Sequence, residues 1–403
     1  MKILVLNSGS SSQKCSLYEV SGSLPEHPPV PLWQAEMDWG TDVELRVKTA
    51  QGRETSNQIK VSSHRTALEH LLERLWTGSK RVIAAPDEIG VVGHRVVHGG
   101  REYVSPVVVT PAVKQTIQRL AVFAPLHNPA ALEGMKVIES KLGSVPQVAA
   151  FDTAFHAHLP LPAAVYPGPY EWLEQGIRRY GFHGINHRYC AQRAAQILGK
   201  DLNSLRLIVC HLGNGCSLAA VEHGRSVETT MGFTPLEGLM MGTRSGSVDP
   251  GILTYLLRQD SITAGKLDDI LNTKSGLLGV SGVSGDMREI LAAMNNGDSR
   301  AKLAFDIYIH RLRFYIGAML AVLGGSDALV FTAGVGENSA AVRAAACTTL
   351  EFTGLKLDPE KNSMPSSDHD RDVAAPESSM RILVVRAQED WAIARACWQL
   401  LHD

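Results

Sequence analysis

Arg95 and Arg244 each sit among glycine, serine, threonine and apolar residues, in GHRVVHGG and MMGTRSGS, and not in a charged run. A solvated surface arginine ordinarily has polar neighbours of mixed charge. A guanidinium in this setting suits anion capture, because its planar fork pairs bidentately with carboxylate or phosphate and stays charged at any relevant pH. The same charge can neutralise a phosphoryl group in transfer. Three strand-to-turn segments rich in small residues, at 7–12, 213–215 and 334–338, supply a second element of that chemistry. Glycine lets backbone N–H groups approach an anion, and successive N–H groups in such turns form phosphate-binding concavities. One such turn is ordinarily just a tight hairpin; three, each directly after an apolar strand, point to a nucleotide clamp. Neither G-x-x-x-x-G-K-[ST] nor G-x-G-x-x-G is present, since HLGNGCSL and GVGENS both lack the last glycine.

The histidines are less specific. His94 and His98 are four apart, as are His183 and His187, which on a helix places each pair on one face. Residues 94–98 read as strand, and H-E-x-x-H is missing, so zinc ligation is not expected and a structural role is the better expectation for any single one. His183 stands apart because glycines on both sides, in GFHG, permit close approach of a ligand.

The elements that must position these residues are legible in outline. KILVLN, a Gly/Ser turn and a second alternating run form a hairpin, and LRLIVCHLGNGCSLAAVEHGRSV repeats the plan, with Ser16-Leu17-x-x-Val20 against Ser217-Leu218-x-x-Val221. So few matched positions leave chance similarity and duplication both open; duplication would make the chain two copies of one α/β unit. The proline-rich 24–32 cannot be a central strand. Helices are expected at 64–76, 252–258, 287–294, 300–323 and about 389–401, strands at 89–93, 145–151, 328–332 and 380–386, and a loop over 359–379.

Composition bounds the remainder. At 403 residues, two or three domains are expected, and a hydrophobic share of 44% suffices for large cores. With 39 Lys+Arg against 41 Asp+Glu the net charge is −2, which argues against a broad nucleic-acid surface. The N-terminal apolar run ends at Leu6, too short for a signal peptide, and no apolar stretch reaches the ~18 residues of a membrane span, so a soluble cytoplasmic protein is expected. Six cysteines without a C-x-x-C pair read as reduced, buried thiols.

In order along nearly the whole chain, LVLNSGSSSQK, GHRVVHGG, FDTAFH, YGFHGINHRY, CHLGNGCSLAAV, TMGFTPLEGLMMGTRSG, VDPG, KSGLLGVSGVSGDMR, FTAGVGENS and QED-x-x-IAR resemble the acetate kinase family, which includes propionate and butyrate kinases. The resemblance implies an α/β fold of two duplicated domains, the sugar kinase/Hsp70/actin (RNase H-like) fold with a nucleotide cleft between them. It implies domains of 1–152 plus 387–403, on the carboxylate and magnesium side, and 153–386, on the nucleotide side. Arg95 and Arg244 match the arginines that bind carboxylate and stabilise the transferring phosphoryl group, His183 a histidine with the same task, and Asp152 the catalytic aspartate. Val97, Leu126, Phe182 and Pro235 match the pocket for the acyl methyl group. Lys14, His211, Leu212, Gly213, Asn214, Gly215, Asp286, Met287, Arg288, Gly334, Val335, Gly336, Glu337 and Asn338 match nucleotide contacts. Asn7 and Glu389 match a site for Mg²⁺, with Mn²⁺ as an alternative, which requires the last helix to fold back on the first strand. A homodimer taking ATP/ADP and a small carboxylate is implied.

The chemistry agrees with that substrate class. A carboxylate is ionised at neutral pH and needs no base to attack phosphorus; its difficulty is approaching a polyanion. Direct in-line transfer is therefore expected, with Asp152 positioning an arginine or a metal-bound water. A sugar hydroxyl acceptor would need a base and polar pocket residues, and an actin- or Hsp70-like switch would leave Arg95 and Arg244 without a task. Propionate differs from acetate by one methylene, worth only ~1–3 kcal/mol. Ser247, Ala333, Ala387 and Gln388 depart from the family pattern and are expected to tune affinity while leaving activity intact.

Overall fold

The structure, a computed structural model, describes residues 1–9, 12–38, 43–52, 54–59, 63–78, 81–125, 127–259, 262–365 and 369–402. Residues 10 and 11 of the first turn, and Leu126, lie outside the described residues. The chain divides into two compact units, Met1–Ala157 with Gln388–Asp403, and His158–Ala387.

The first unit holds strands β1 (Lys2–Ser8), β2 (Ser12–Glu19), β3 (Trp33–Asp38), β4 (Val43–Thr49), β5 (Glu54–Ile59), β6 (Ile89–Val96), β7 (Val107–Val108) and β8 (Gln147–Phe151). They form one sheet in the order β5-β4-β3-β2-β1-β6-β8-β7. Ile3, Leu4, Val5 and Leu6 are all buried, as a strand covered on both faces requires. Strands β3 to β5 were not among the expected elements, although Trp33, Ala35 and Met37 are buried with Gln34 exposed between them, the period of a half-buried strand. Leu68, Leu71 and Leu72 of the helix His64–Glu73, and Val137 and Ile138 of the helix Asn128–Leu142, complete a core with Leu4, Leu6 and Trp33. The helix Glu389–His402 returns onto β1 and β6. Gly93 makes that approach possible, since a Cβ there would lie 2.6 Å from Ile393 Cγ2 and 2.7 Å from Cys397 Sγ.

The second unit holds β9 (Arg206–Leu212), β10 (Cys216–Glu222), β11 (Arg225–Thr229), β12 (Ala328–Thr332), β13 (Arg371–Asp372) and β14 (Arg381–Val384), in the order β11-β10-β9-β12-β14-β13. Five strands follow the same plan in each unit. β3-β2-β1 and β11-β10-β9 are antiparallel, and β6-β8 and β12-β14 then add in parallel. The shared plan decides between chance and duplication in favour of duplication.

Several boundaries differ from expectation. The first helix ends at Glu73, not 76, and strand β6 stops at Val96, short of His98. The segment 359–379 contains the helix Pro359–Ser363, started by the Asp358 cap and Pro359, and the short β13. Gly334 to Asn338 is not a turn but lies in the helix Ala333–Asn338. Its end is secured by Arg343, 1% exposed, whose Nη1 donates to the carbonyls of Gly336 and Glu337 at 2.9 Å each. Its Nε donates to Asn362 Oδ1 at 2.7 Å.

His94 and His98 are both buried in the first unit. His94 Nε2 donates to Gln147 Oε1 at 2.7 Å, and His98 Nδ1 accepts from the Gly100 N–H at 3.1 Å. Burial pushes both rings down to about 4 from the usual 6.5. The unfolded chain therefore binds protons that the folded one refuses, so stability is full above about pH 6.5 and falls as pH drops toward 4. Urea midpoints measured from pH 7 to pH 5 are expected to decline, and less steeply in His94→Gln; an unchanged slope in that variant would contradict the assignment. Among the described residues no helix is long and apolar enough to cross a membrane.

Candidate active site

In the second unit three chain segments enclose a cavity of about 600 Å³. Gly213, Asn214, Asp286, Met287, Arg288, Gly334, Val335 and Asn338 line it, together with Gly285, Leu291 and Ser339, which the sequence reading missed. The volume suits a cofactor-sized ligand. Glycine is required where the segments meet: a Cβ on Gly242 would lie 2.2 Å from Asn214 Oδ1, and one on Gly285 3.0 Å from the Gly242 carbonyl. Arg288 Nε donates to both Asp286 oxygens, at 3.0 and 3.1 Å. Leu212 and Gly336 do not line the cavity; they pack where the helix Ala333–Asn338 meets β9, a Cβ on Gly336 lying 3.7 Å from Leu212 Cβ. Glu337 accepts the Ala387 N–H at 2.8 Å, and burial raises its carboxyl despite that bond.

Ala333 enters its helix at φ 65°, in the left-handed region that costs an L-residue roughly 1–2 kcal/mol. Ala333→Gly is expected to raise unfolding stability by about 1 kcal/mol, read as a higher urea midpoint. An unchanged or lower midpoint would contradict the strain.

One residue beyond the cavity lining, Gly215 lies under two side-chain nitrogens. A methyl-sized point on its α-carbon would be 3.5 Å from both His183 Nε2 and Arg244 Nη1. Arg244 is aimed by the Pro235 carbonyl, which accepts from Nη1 at 3.1 Å. His183 caps the helix Gly184–Leu198 at φ 56°, a non-glycine residue in a strained conformation of the sort that gathers at functional sites. Its ring stacks on His211 at 4.0 Å, and its Nδ1 lies 2.9 Å from Ser217 Oγ. Phe182, beside it, is buried. Ser247 accepts the Gly238 N–H at 3.0 Å and pairs with the Tyr315 hydroxyl at 2.9 Å.

The first unit carries its own cluster. Arg95, near the end of β6, is held by Asp152, just after β8, with Nη2 and Nε donating to Oδ2 at 2.6 and 3.1 Å. The Asp152 side chain is 1% exposed and that of Arg95 13%. Burial opposes the guanidinium charge, but Asp152, Glu389 and Asp390 outweigh it and raise the Arg95 pKa. Asn7, at the end of β1, takes Arg95 Nη1 on Oδ1 at 3.4 Å and donates from Nδ2 to Glu389 Oε2 at 3.2 Å and Asp390 Oδ1 at 2.9 Å. Asp390 was missed from sequence; it also accepts from Ser16 Oγ at 2.6 Å, and burial pushes its carboxyl up against these hydrogen bonds. Lys14 pairs with Glu36 at 3.3 Å, and Val97 is buried just beyond β6.

Glu389, Asp390 and Asn7 offer only hard oxygen donors, a set that suits Mg²⁺ or Mn²⁺ and not zinc. Among the described residues no three His, Cys, Asp or Glu gather to hold a metal. A magnesium ion fits such a sparse set, because it keeps most of its coordination for water and phosphate.

Two α/β units on one strand plan are the fold of the sugar kinase, Hsp70 and actin superfamily. The model of the Acetokinase family matches residues 2–395, and the chain belongs to that family. An acetate kinase from Cyanothece sp. is 61% identical over 405 residues, spanning all of this chain and 99% of that protein. The crystal structure of Porphyromonas gingivalis acetate kinase is similar at TM-score 0.91, with 41% identity over 99% of each chain. That of a propionate kinase from Francisella tularensis reaches 0.88, with 36% identity over 98% of each chain.

Proposed function

We propose that the chain is an ATP-dependent acetate kinase: it transfers the γ-phosphoryl group of ATP to acetate, reversibly, giving acetyl phosphate and ADP. The observation that carries the reading is the convergence at Gly215 of two side-chain nitrogens, His183 Nε2 and Arg244 Nη1, beside a cofactor-sized cavity. Membership of the family across the chain supports the same substrate class.

An acetate oxygen attacks the γ-phosphorus as the bond to the ADP oxygen breaks, and no proton is taken or released at the reacting oxygen. What the chain must supply is positive charge and hydrogen-bond donors for the phosphoryl oxygens. Arg244 and His183 serve the transferring group, and Arg95 binds the carboxylate with Asp152 fixing its guanidinium. Asp152 already accepts two bonds from Arg95, which supports a positioning task over proton removal. Glu389, with Asn7 and Asp390, would hold the divalent cation, which when bound offsets phosphate charge. The cavity residues Gly213, Asn214, Asp286, Met287, Arg288, Gly334, Val335 and Asn338 bind the nucleotide. Phe182 and Pro235 exclude water around the acyl methyl. The reading extends to a cytoplasmic homodimer.

Acyl phosphate trapped as hydroxamate, with ATP, Mg²⁺ and acetate, propionate or butyrate in turn, tests the proposal. Acetate is expected to give the highest kcat/KM, with propionate lower by about 10- to 200-fold for one methylene. A preference for propionate would move the assignment within the family, and no acyl phosphate with any acid would overturn it.

A further inference from the structure

Ser217 places its hydroxyl between two imidazoles. Its Oγ lies 2.7 Å from His187 Nε2 and 2.9 Å from His183 Nδ1. Ser217 and His187 are fully buried. The four-residue spacing of the histidines, one at the cap and one in the first turns of the helix Gly184–Leu198, lets both rings reach one atom of β10. A hydroxyl has one proton and two lone pairs, so it donates to one ring only and accepts from the other. Which ring receives that proton sets the tautomer of His183.

The neighbouring ring bears on the choice. His211 Nδ1 lies 2.8 Å from Asn186 Nδ2, a donor that also reaches Thr332 Oγ1 at 3.3 Å, so His211 accepts at Nδ1 and carries its proton on Nε2. The His183 and His211 rings are stacked at 4.0 Å and 8°. A neutral His183 stacks there without like-charge repulsion whatever the state of His211. A neutral ring that accepts at Nδ1 bears its proton on Nε2, the atom that converges with Arg244 Nη1 over Gly215.

We propose that His187 and Ser217 are positioning residues for the phosphoryl transfer. His187 Nε2–H donates to Ser217 Oγ, and Ser217 O–H donates to His183 Nδ1. His183 is thereby held as the neutral Nε2–H tautomer, a ready donor to an oxygen of the transferring group. No proton moves along the relay during turnover; its task is to fix orientation and tautomer before the reaction. Ser16, the sequence match of Ser217 in the first hairpin, is likewise buried and donates to Asp390 beside Asn7. The proposal rests on the reading of His183 as a donor to the phosphoryl group.

The test compares Ser217→Ala, His183→Ala and the double variant, with ring-¹⁵N histidine NMR of the unsubstituted protein. Ser217→Ala is expected to lower kcat about 10- to 100-fold, the size seen when an outer partner of a functional histidine is lost. KM for ATP and for acetate should stay within about twofold, and the substitution should have no further effect in the His183→Ala background. The NMR should show His183 protonated at Nε2 and not at Nδ1. An unchanged kcat in Ser217→Ala beside a large loss in His183→Ala would reject the relay while the reading of His183 stands. Near-normal turnover in His183→Ala would reject that reading and the relay together. Should Ser217→Ala fail to fold, the NMR decides alone, and an Nδ1–H His183 overturns the proposal.

Discussion

Arg244→Ala is expected to lower kcat on the order of 10³-fold, with the urea midpoint close to that of the unsubstituted protein. The magnitude is that of losing one preorganised donor to a developing charge. The specificity comes from geometry: Arg244 Nη1 donates to the Pro235 carbonyl at 3.1 Å and to the Met241 sulfur at 3.8 Å, and it borders the space above Gly215. On the proposed reading, removing it deletes a cation from the place where phosphate charge must be offset. The loss should fall on kcat more than on KM for ATP, because the cavity residues proposed to hold the nucleotide remain. Turnover within about tenfold of normal would exclude Arg244 from the transfer step.

Asp152→Ala is the second large effect, and it acts on stability as well as on rate. Its carboxylate is fully buried against the Arg95 guanidinium, and breaking such a pair from one side leaves an uncompensated charge at a cost of about 3–5 kcal/mol. Glu389 and Asp390, which also favour the Arg95 charge, bring the expected cost toward the lower end, about 3 kcal/mol. Freed from Asp152, Arg95 is drawn toward those carboxylates, so KM for acetate should rise together with the fall in kcat. Equilibrium urea unfolding and steady-state kinetics read the two effects. A loss of less than about 1 kcal/mol with unchanged KM would show that Asp152 does not hold Arg95 in place.

What could be read from the sequence follows from how local the signals are. The two hairpins declared themselves through apolar runs ending in small-residue turns, and Arg95 and Arg244 through their uncharged neighbours. The return of Glu389 to Asn7 could not be derived from spacing, since 382 residues separate them and only the family resemblance joined them. Asp390 follows Glu389 at the start of a helix, and two adjacent acids there would have been signal enough to single out both, though only Glu389 was named. The segment 334–338 was misread because glycines that suit a turn also suit a tightly packed short helix, and the choice is made by Ala333 and by Arg343, outside the motif. The left-handed backbone of His183 leaves no mark in composition beyond its flanking glycines. Ser217 passed as an ordinary strand serine because its partners come from a helix that the hydrophobic pattern did not reveal.

The central claim is that arginines, a histidine and a bound cation act on one direct transfer, with no covalent intermediate on the protein. The stereochemical course at phosphorus tests it most directly, using ATP made chiral at the γ-position with three oxygen isotopes and analysing the configuration of the acetyl phosphate formed. A single in-line displacement predicts inversion. Retention would mean two displacements through a phosphorylated side chain and would contradict the account.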